Sequence, residues 1–323
     1  MSSSVRRPSV NRNAAPLVAS LLERRDELRL GVRKHDSGAT MVDAGIGAPG
    51  GLEAGRLIAE ICMGGLGQVR LTAAQGRWPL QLSVTACDPV VACLASQYAG
   101  WSLSSGSGKT KFHALGSGPA RALAVKEPLF EELGYRDQAS STYLVLEVDR
   151  EPPLDVIQKV VRDCQVGPEQ LTIVLTPTNS LAGMVQIIAR VLEVGLHKAH
   201  TLGFPLEAVV DGAACAPFAP PAPDTLSAMG RSNDAILFGG TVHLFVRCED
   251  AAAESLAQRL HSQGSRDYGK PFATIFKDYG FDFYKIDPML FAPAVAIVTN
   301  LASGRTFRSG GLNDELLRQS FGG

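Results

Sequence analysis

The sequence has no C-x-x-C pair, no cysteine–histidine cluster at zinc spacing, no apolar run long enough to span a bilayer and almost no net charge. Its six cysteines stand apart at 62, 87, 93, 164, 215 and 248, and Cys62 lies in the apolar run I-A-E-I-C-M. They read as reduced core residues of a cytoplasmic protein, not as a disulfide framework or a metal cage. A net charge of −1 argues against nucleic acid or an anionic membrane surface as the main partner. An anionic small ligand would still need a local basic patch. The opening residues, M-S-S-S-V-R-R-P-S-V-N-R-N, are basic with no apolar stretch behind them, so they read as a disordered tail and not a secretory signal. No internal repeat is visible.

What remains is a chain of 323 residues, 45% hydrophobic and 20% charged, which fits a soluble enzyme or binding protein of two domains. The pattern predicts helices over 16–30, 52–63, 88–98, 154–164, 251–261 and 313–319. It predicts strands over 39–43, 67–72, 80–86, 122–125, 143–148, 171–175 and 294–300, with a partner at 305–307. Two strands around Gly239-Gly240 fill 229–247, 272–276 is a short helix or strand, and the proline-rich 217–224 is extended. This alternation predicts an α/β or mixed α+β architecture, and the length divides it into an N-terminal domain, 1–175, and a C-terminal one, 176–323.

Three glycine-rich stretches invite a nucleotide reading. G-I-G-A-P-G-G (45–51) follows a strand but lacks the G-x-G-x-x-G spacing and contains a proline. S-L-S-S-G-S-G-K-T (102–110) has Leu103 where the phosphate-loop pattern requires glycine, and reads as a flexible loop. In G-S-G-P-A-R (116–121), the backbone N–H groups of Gly116, Ser117 and Gly118 either receive an acidic part of a ligand or simply form a tight turn.

The most informative stretch is Thr176–Phe204. Pro177 blocks a helix running in from the preceding apolar run, and Thr178, Asn179 and Ser180 are all N-cap residues. The stretch predicts one helix over about 180–202. On it Gln186, Arg190, Glu193, His197 and His200 fall within an arc of roughly 80°, with apolar or small residues elsewhere. An ordinary surface helix is the inverse of this. The pattern implies a helix buried on most sides. Its thin polar stripe is either a cleft wall or a structural ion pair with two satisfied core histidines. Tyr98, with Gln97 and Trp101, is a stacking wall or core; Arg231, Ser232, Asn233 and Asp234 form a polar group that lines a cleft or a turn.

Several long motifs carry a resemblance: S-L-A-G followed by A-R-V-L-E-V-G-L-H-K-A-H-T-L-G-F, D-P-V-V-A-C-L-A-S-Q-Y-A-G-W, A-L-G-S-G-P-A-R-A, G-R-S-N-D-A-I-L-F-G-G and F-Y-K-I-D-P-M-L-F-A-P-A. From about Ala14 to the last helix the chain resembles the methenyltetrahydromethanopterin cyclohydrolase family, in wording closer to its methylotrophic bacterial branch. The resemblance implies two α/β domains with a cleft, a homotrimer, and interconversion of 5,10-methenyl- and 5-formyl-tetrahydromethanopterin without metal or organic cofactor. It places the family's catalytic Arg-x-x-Glu on Arg190 and Glu193. Gln186, His197, His200, Tyr98, Ser117, Gly118, Asn233 and Asp234 are then candidate pterin contacts. The expected partner is the small pterin, with neither nucleic acid nor membrane, in formaldehyde oxidation or methanogenic one-carbon metabolism. Two rival readings stand beside it. One is a metal-dependent amidohydrolase-type enzyme using His197 and His200, for which no third ligand lies nearby in sequence. The other is a silent pterin-binding subunit.

Overall fold

The computed structural model describes residues 7–74, 77–108 and 111–322. Its strands form two six-stranded mixed sheets. In the first, the order is β1 (Gly31–Lys34), β2 (Thr40–Asp43), β8 (Leu171–Leu175), β7 (Thr142–Leu146), β6 (Phe112–Ser117) and β5 (Trp101–Ser105). β2, β8 and β7 run parallel, and antiparallel hairpin partners complete both edges. In the second, the order is β12 (Thr306–Gly310), β11 (Val295–Asn300), β10 (Thr241–Val246), β9 (Val209–Pro217), β4 (Leu80–Ala86) and β3 (Gly67–Ala73). Only β10 and β11 are parallel there. β3 and β4 come from the first half of the chain yet pair beside β9, so the strands do not divide cleanly at residue 175.

The chain passes between the sheets through three helical segments. α2 (Leu52–Cys62) leads from β2 to β3. A π-helix, Val90–Gln97, leads from β4 to β5, and the pair α6 (Leu181–Ile188) and α7 (Val191–Thr201) leads from β8 to β9. These segments are buried along most of their length and pack on one another. Gly55 makes one close approach possible, since a Cβ there would sit 2.7 Å from Val185 Cβ and 2.8 Å from the Ala182 carbonyl oxygen. α1 (Val10–Glu23) covers α2; α3 (Ala120–Ala124) and α5 (Leu154–Cys164) lie on the first sheet's side, and α4 (Leu129–Leu133) packs against the π-helix with its apolar residues in the second sheet's core. α8 (Thr225–Gly239), α9 (Asp250–Leu260), α10 (Phe272–Asp278) and α11 (Asp314–Phe321) complete the second half.

Several expectations are corrected. The first helix starts at Val10, not near 16, because tertiary contacts anchor it: Asp137 accepts from Ser9 Oγ and from the Asn11 N–H and amide, and Asn11 is buried. The tail expected to be disordered is thus helical from residue 10, and residues 1–6 lie outside the described residues. The 102–110 loop begins instead with β5, paired to β6; 109–110 lie outside the described residues. The strand expected at 122–125 is α3, entered through Gly118 at φ +98°, and the first of the two strands expected in 229–247 is α8, capped by Asp224. Short apolar runs do not separate helix from strand by themselves. β9 gave no strand signal in its small-residue sequence V-V-D-G-A-A-C-A-P. Cys62, Cys93 and Cys164 are core residues, but Cys87 and Cys215 are exposed and Cys248 is half-buried.

The main correction concerns the long helix at 180–202, which is two helices. Ser180 caps α6 by accepting from the Gly183 N–H at 2.9 Å. At Ala189 and Arg190 ψ flattens to −6° and 0°, and the Arg190 N–H bonds Ile187 O at 3.0 Å, one residue short of the α pattern. α7 then restarts with Arg190 at its N-cap.

Candidate active site

The break between α6 and α7 meets the end of the π-helix. There the chain runs i→i+5, with the Tyr98 N–H on Cys93 O at 2.7 Å. A helix end leaves carbonyls without partners inside the helix, and they carry partial negative charge. Two arginines collect them. Arg121, fully buried, donates to Leu94 O at 2.9 Å and Ser96 O at 3.1 Å and forks onto Glu127 at 2.9 and 2.6 Å. Arg190 donates to Gln97 O at 2.6 Å, Ser117 Oγ at 3.0 Å and Gln186 Oε1 at 3.3 Å. Gln97 returns the contact by donating to the Ala189 carbonyl at 3.2 Å, the one that the helix break sets free.

Glu193 lies one turn into α7, 5% exposed, with a carboxylate oxygen 3.7 Å from Arg190 Nη1. That is an ion pair longer than a hydrogen bond. Arg190's short bonds go elsewhere, so its charge acts on Glu193 without occupying it. Burial pushes the carboxyl up to about 7, against the charges of Arg190 and Arg121. Desolvation thus outweighs the attraction of the two guanidinium groups. A carboxyl near 7 exchanges a proton readily at neutral pH. On the side chains that bond the Ala189 carbonyl and Arg190, the buried Gln97 Oε1 and Gln186 Nε2 have no hydrogen-bond partner among the described residues, an acceptor and a donor of the kind that a polar ligand engages.

The other sequence candidates divide. Tyr98 stacks on His197 with ring centroids 4.7 Å apart, and burial, then His200, lowers the His197 pKa. His200 is bonded to Glu132 at 2.6 Å, on the outer side of the stripe. Ser117 is in the Arg190 network, and its hydroxyl also donates to Gln97 O at 2.7 Å. Gly118 does not offer its N–H to a ligand: it is donated to Ser96 O at 2.8 Å, which makes this stretch a turn. Asn233 and Asp234 lie inside α8, not before a strand. Asn233 bonds Met229 O at 2.9 Å and the buried Asp234 accepts from the Phe272 N–H at 2.9 Å, tying α8 to α10. Among the described residues no group of three or more His, Cys, Asp or Glu side chains is placed to hold a metal ion, and no helix is long and apolar enough to cross a membrane.

A cavity of about 600 Å³ opens at the carboxyl ends of β7 and β8, lined among others by His113, Glu147, Arg150, Thr178 and Thr225. Arg190 and Glu193 do not line it. The β6–β7 ladder pairs Gly116 with Leu146 and Ser117 with Val145, and Glu147 follows Leu146 directly. Sequence reasoning missed Glu147 and Arg121, because no local pattern marks a carboxylate just past a strand end or an arginine on a distant helix terminus.

A mixed α/β protein with a largely buried Arg–Glu pair at the junction of three sheet-crossing segments is the class defined by fold and site. The chain belongs to the family described as Cyclohydrolase (MCH), which matches residues 9–321, and it is thereby a hydrolase. It is 61% identical over 317 residues to the methenyltetrahydromethanopterin cyclohydrolase of Methylobacillus flagellatus, covering 98% of this chain and 96% of that protein. It is 55% identical to the enzyme of that name from Xanthobacter autotrophicus, over 96% and 91% of the two chains. For that of Methanothermobacter marburgensis the identity is 42%, over 97% and 99%. The likeness is thus stronger to the bacterial methylotroph branch.

Proposed function

We propose that this protein hydrolyses 5,10-methenyltetrahydromethanopterin reversibly to the 5-formyl compound, with Glu193 carrying the protons. The methenyl carbon shares a positive charge with two flanking nitrogens and is already electrophilic. Glu193 takes a proton from water as its oxygen adds to that carbon. The hydroxyl then loses its proton as the C=O forms, Glu193 delivers its own to the departing nitrogen, and one proton is released overall. Arg190 orients Glu193 and moderates its affinity for the proton. The open amide atoms of Gln97 and Gln186 hold the attacking water, and Tyr98 with His197 offers a flat wall to the ligand.

The observation that carries this reading is the Glu193 carboxyl near 7, 3.7 Å from a guanidinium whose short bonds go to other acceptors. The test is absorbance-monitored hydrolysis of the methenyl pterin. Glu193→Gln is expected to lower kcat by about 10²–10⁴-fold with substrate binding retained. A folded variant with near-normal turnover would sink the role. The family resemblance of the motifs further favours a place in one-carbon metabolism in the direction of formaldehyde oxidation, and assembly as a homotrimer, for which a sedimentation mass of one chain would be the contrary result.

A further inference from the structure

The cavity beyond Arg190 has its own chemistry. Glu147 follows the last residue of β7, and Thr178 follows β8 by three residues; carboxyl ends of neighbouring parallel strands are where open α/β sheets place ligands. The Thr178 hydroxyl donates to one Glu147 carboxylate oxygen at 2.5 Å, which fixes the group in one orientation. Glu147 keeps contact with water through the cavity, yet the protein crowded around its carboxyl raises the pKa, opposed by Thr178 and by the Arg190 charge. Val145, two residues before Glu147 on the same strand, pairs with Ser117, the residue that accepts from Arg190. Two strand residues, about 7 Å, separate the Arg190 anchor from Glu147. That is comparable to the length of a fused bicyclic ring.

We propose that Glu147, held by Thr178, recognises the amino-pyrimidine end of the pterin by accepting from its ring N–H and its exocyclic 2-amino group. This rests on the pterin reading above and deepens it. A carboxylate offers two acceptors to those two donors, and a carboxamide offers only one. Arg190 and Glu193 stand at the other end of the ring system, at the carbon that reacts. Glu147 is thereby a specificity residue that takes no proton during turnover.

The experiment uses the full chain with two probes, 6-methylpterin and 6-methyllumazine. The lumazine carries an oxo group in place of the 2-amino group. The wild type is expected to bind the pterin at least tenfold more tightly by tryptophan-fluorescence titration, and Glu147→Gln is expected to abolish the preference. With the methenyl substrate the same variant should show KM raised tenfold or more and kcat within about threefold of wild type. Thr178→Val, which frees the carboxylate to rotate, should shift both readings in the same direction by less. Equal preference in wild type and Glu147→Gln, or loss of kcat at unchanged KM, overturns the assignment. If the wild type does not hydrolyse the methenyl pterin, the functional reading falls, and the probe titration still decides the role of Glu147.

Discussion

At the residue scale, the site works by keeping a carboxylic acid between its two protonation states. Burial raises the Glu193 pKa, and Arg190, then Arg121, oppose the shift. The sign of each effect gives a prediction. In the hydrolytic direction Glu193 must be ionised, so kcat/KM should rise with pH and level off above a pKa near 7. Arg190→Gln removes the largest opposing charge and should move that limb to higher pH as well as lowering the plateau. A limb that stays in place in a pH–rate profile of Arg190→Gln would mean that Arg190 does not set the Glu193 equilibrium. The i, i+3 spacing of the pair was legible in the sequence, because it depends only on the helical repeat. The 3.7 Å separation was not, because it depends on where Arg190's other donors find Gln97, Ser117 and Gln186.

At the element scale, the decisive feature is that the expected long helix is broken where Arg190 sits. An uninterrupted helix would leave no free carbonyl at Ala189 for Gln97 to bond. Mid-helix irregularities and π-helices often mark functional positions, and here a helix break and a π-helix end are joined by that bond and by Arg190. Gln97→Leu should preserve the backbone carbonyl that binds Arg190 while leaving the Ala189 carbonyl without its side-chain partner. The expected cost is about 1–3 kcal/mol in urea unfolding, with a lowered kcat and an unshifted pH limb. Unchanged stability would show that the two segments do not depend on this bond. The pattern of α6 and α7 reads as one apolar rod, since flattening two ψ angles hardly alters which residues face the same side. Break and continuity look alike in periodicity.

At the scale of the whole molecule, three chain crossings bind the sheets together. Residues of α2, the π-helix, α6 and α7 share one apolar cluster with the second sheet, including Ala59, Leu94, Met184, Leu196 and Val242. Lys198 adds a tie from α7, donating to His261 O at 2.7 Å and Met289 O at 2.8 Å. The two halves should therefore unfold together. Trp101 opens β5 of the first sheet, and Trp78 stands just before β4 and packs edge-on against Phe321 at 4.8 Å. The single-tryptophan variants Trp78→Phe and Trp101→Phe are expected to report coincident thermal midpoints by fluorescence, after allowing for the stability change of each substitution. Two separated transitions would show domains that melt independently.

The sequence by itself determined the α/β class, most of the strand and helix positions, and the placing of Gln186, Arg190, Glu193 and His197 on one side of a buried rod, because these follow from local periodicity and capping. Its long motifs also carried the family. Only the tertiary structure decided that β3 and β4 join the second sheet, that α6 and α7 part at Arg190, that Arg121 and Arg190 share one π-helix end, and that Glu147 faces a cavity. These depend on which distant carbonyls, donors and strands meet. Such pairings are settled by burial and hydrogen-bond satisfaction across the fold, and no run of neighbouring residues records them.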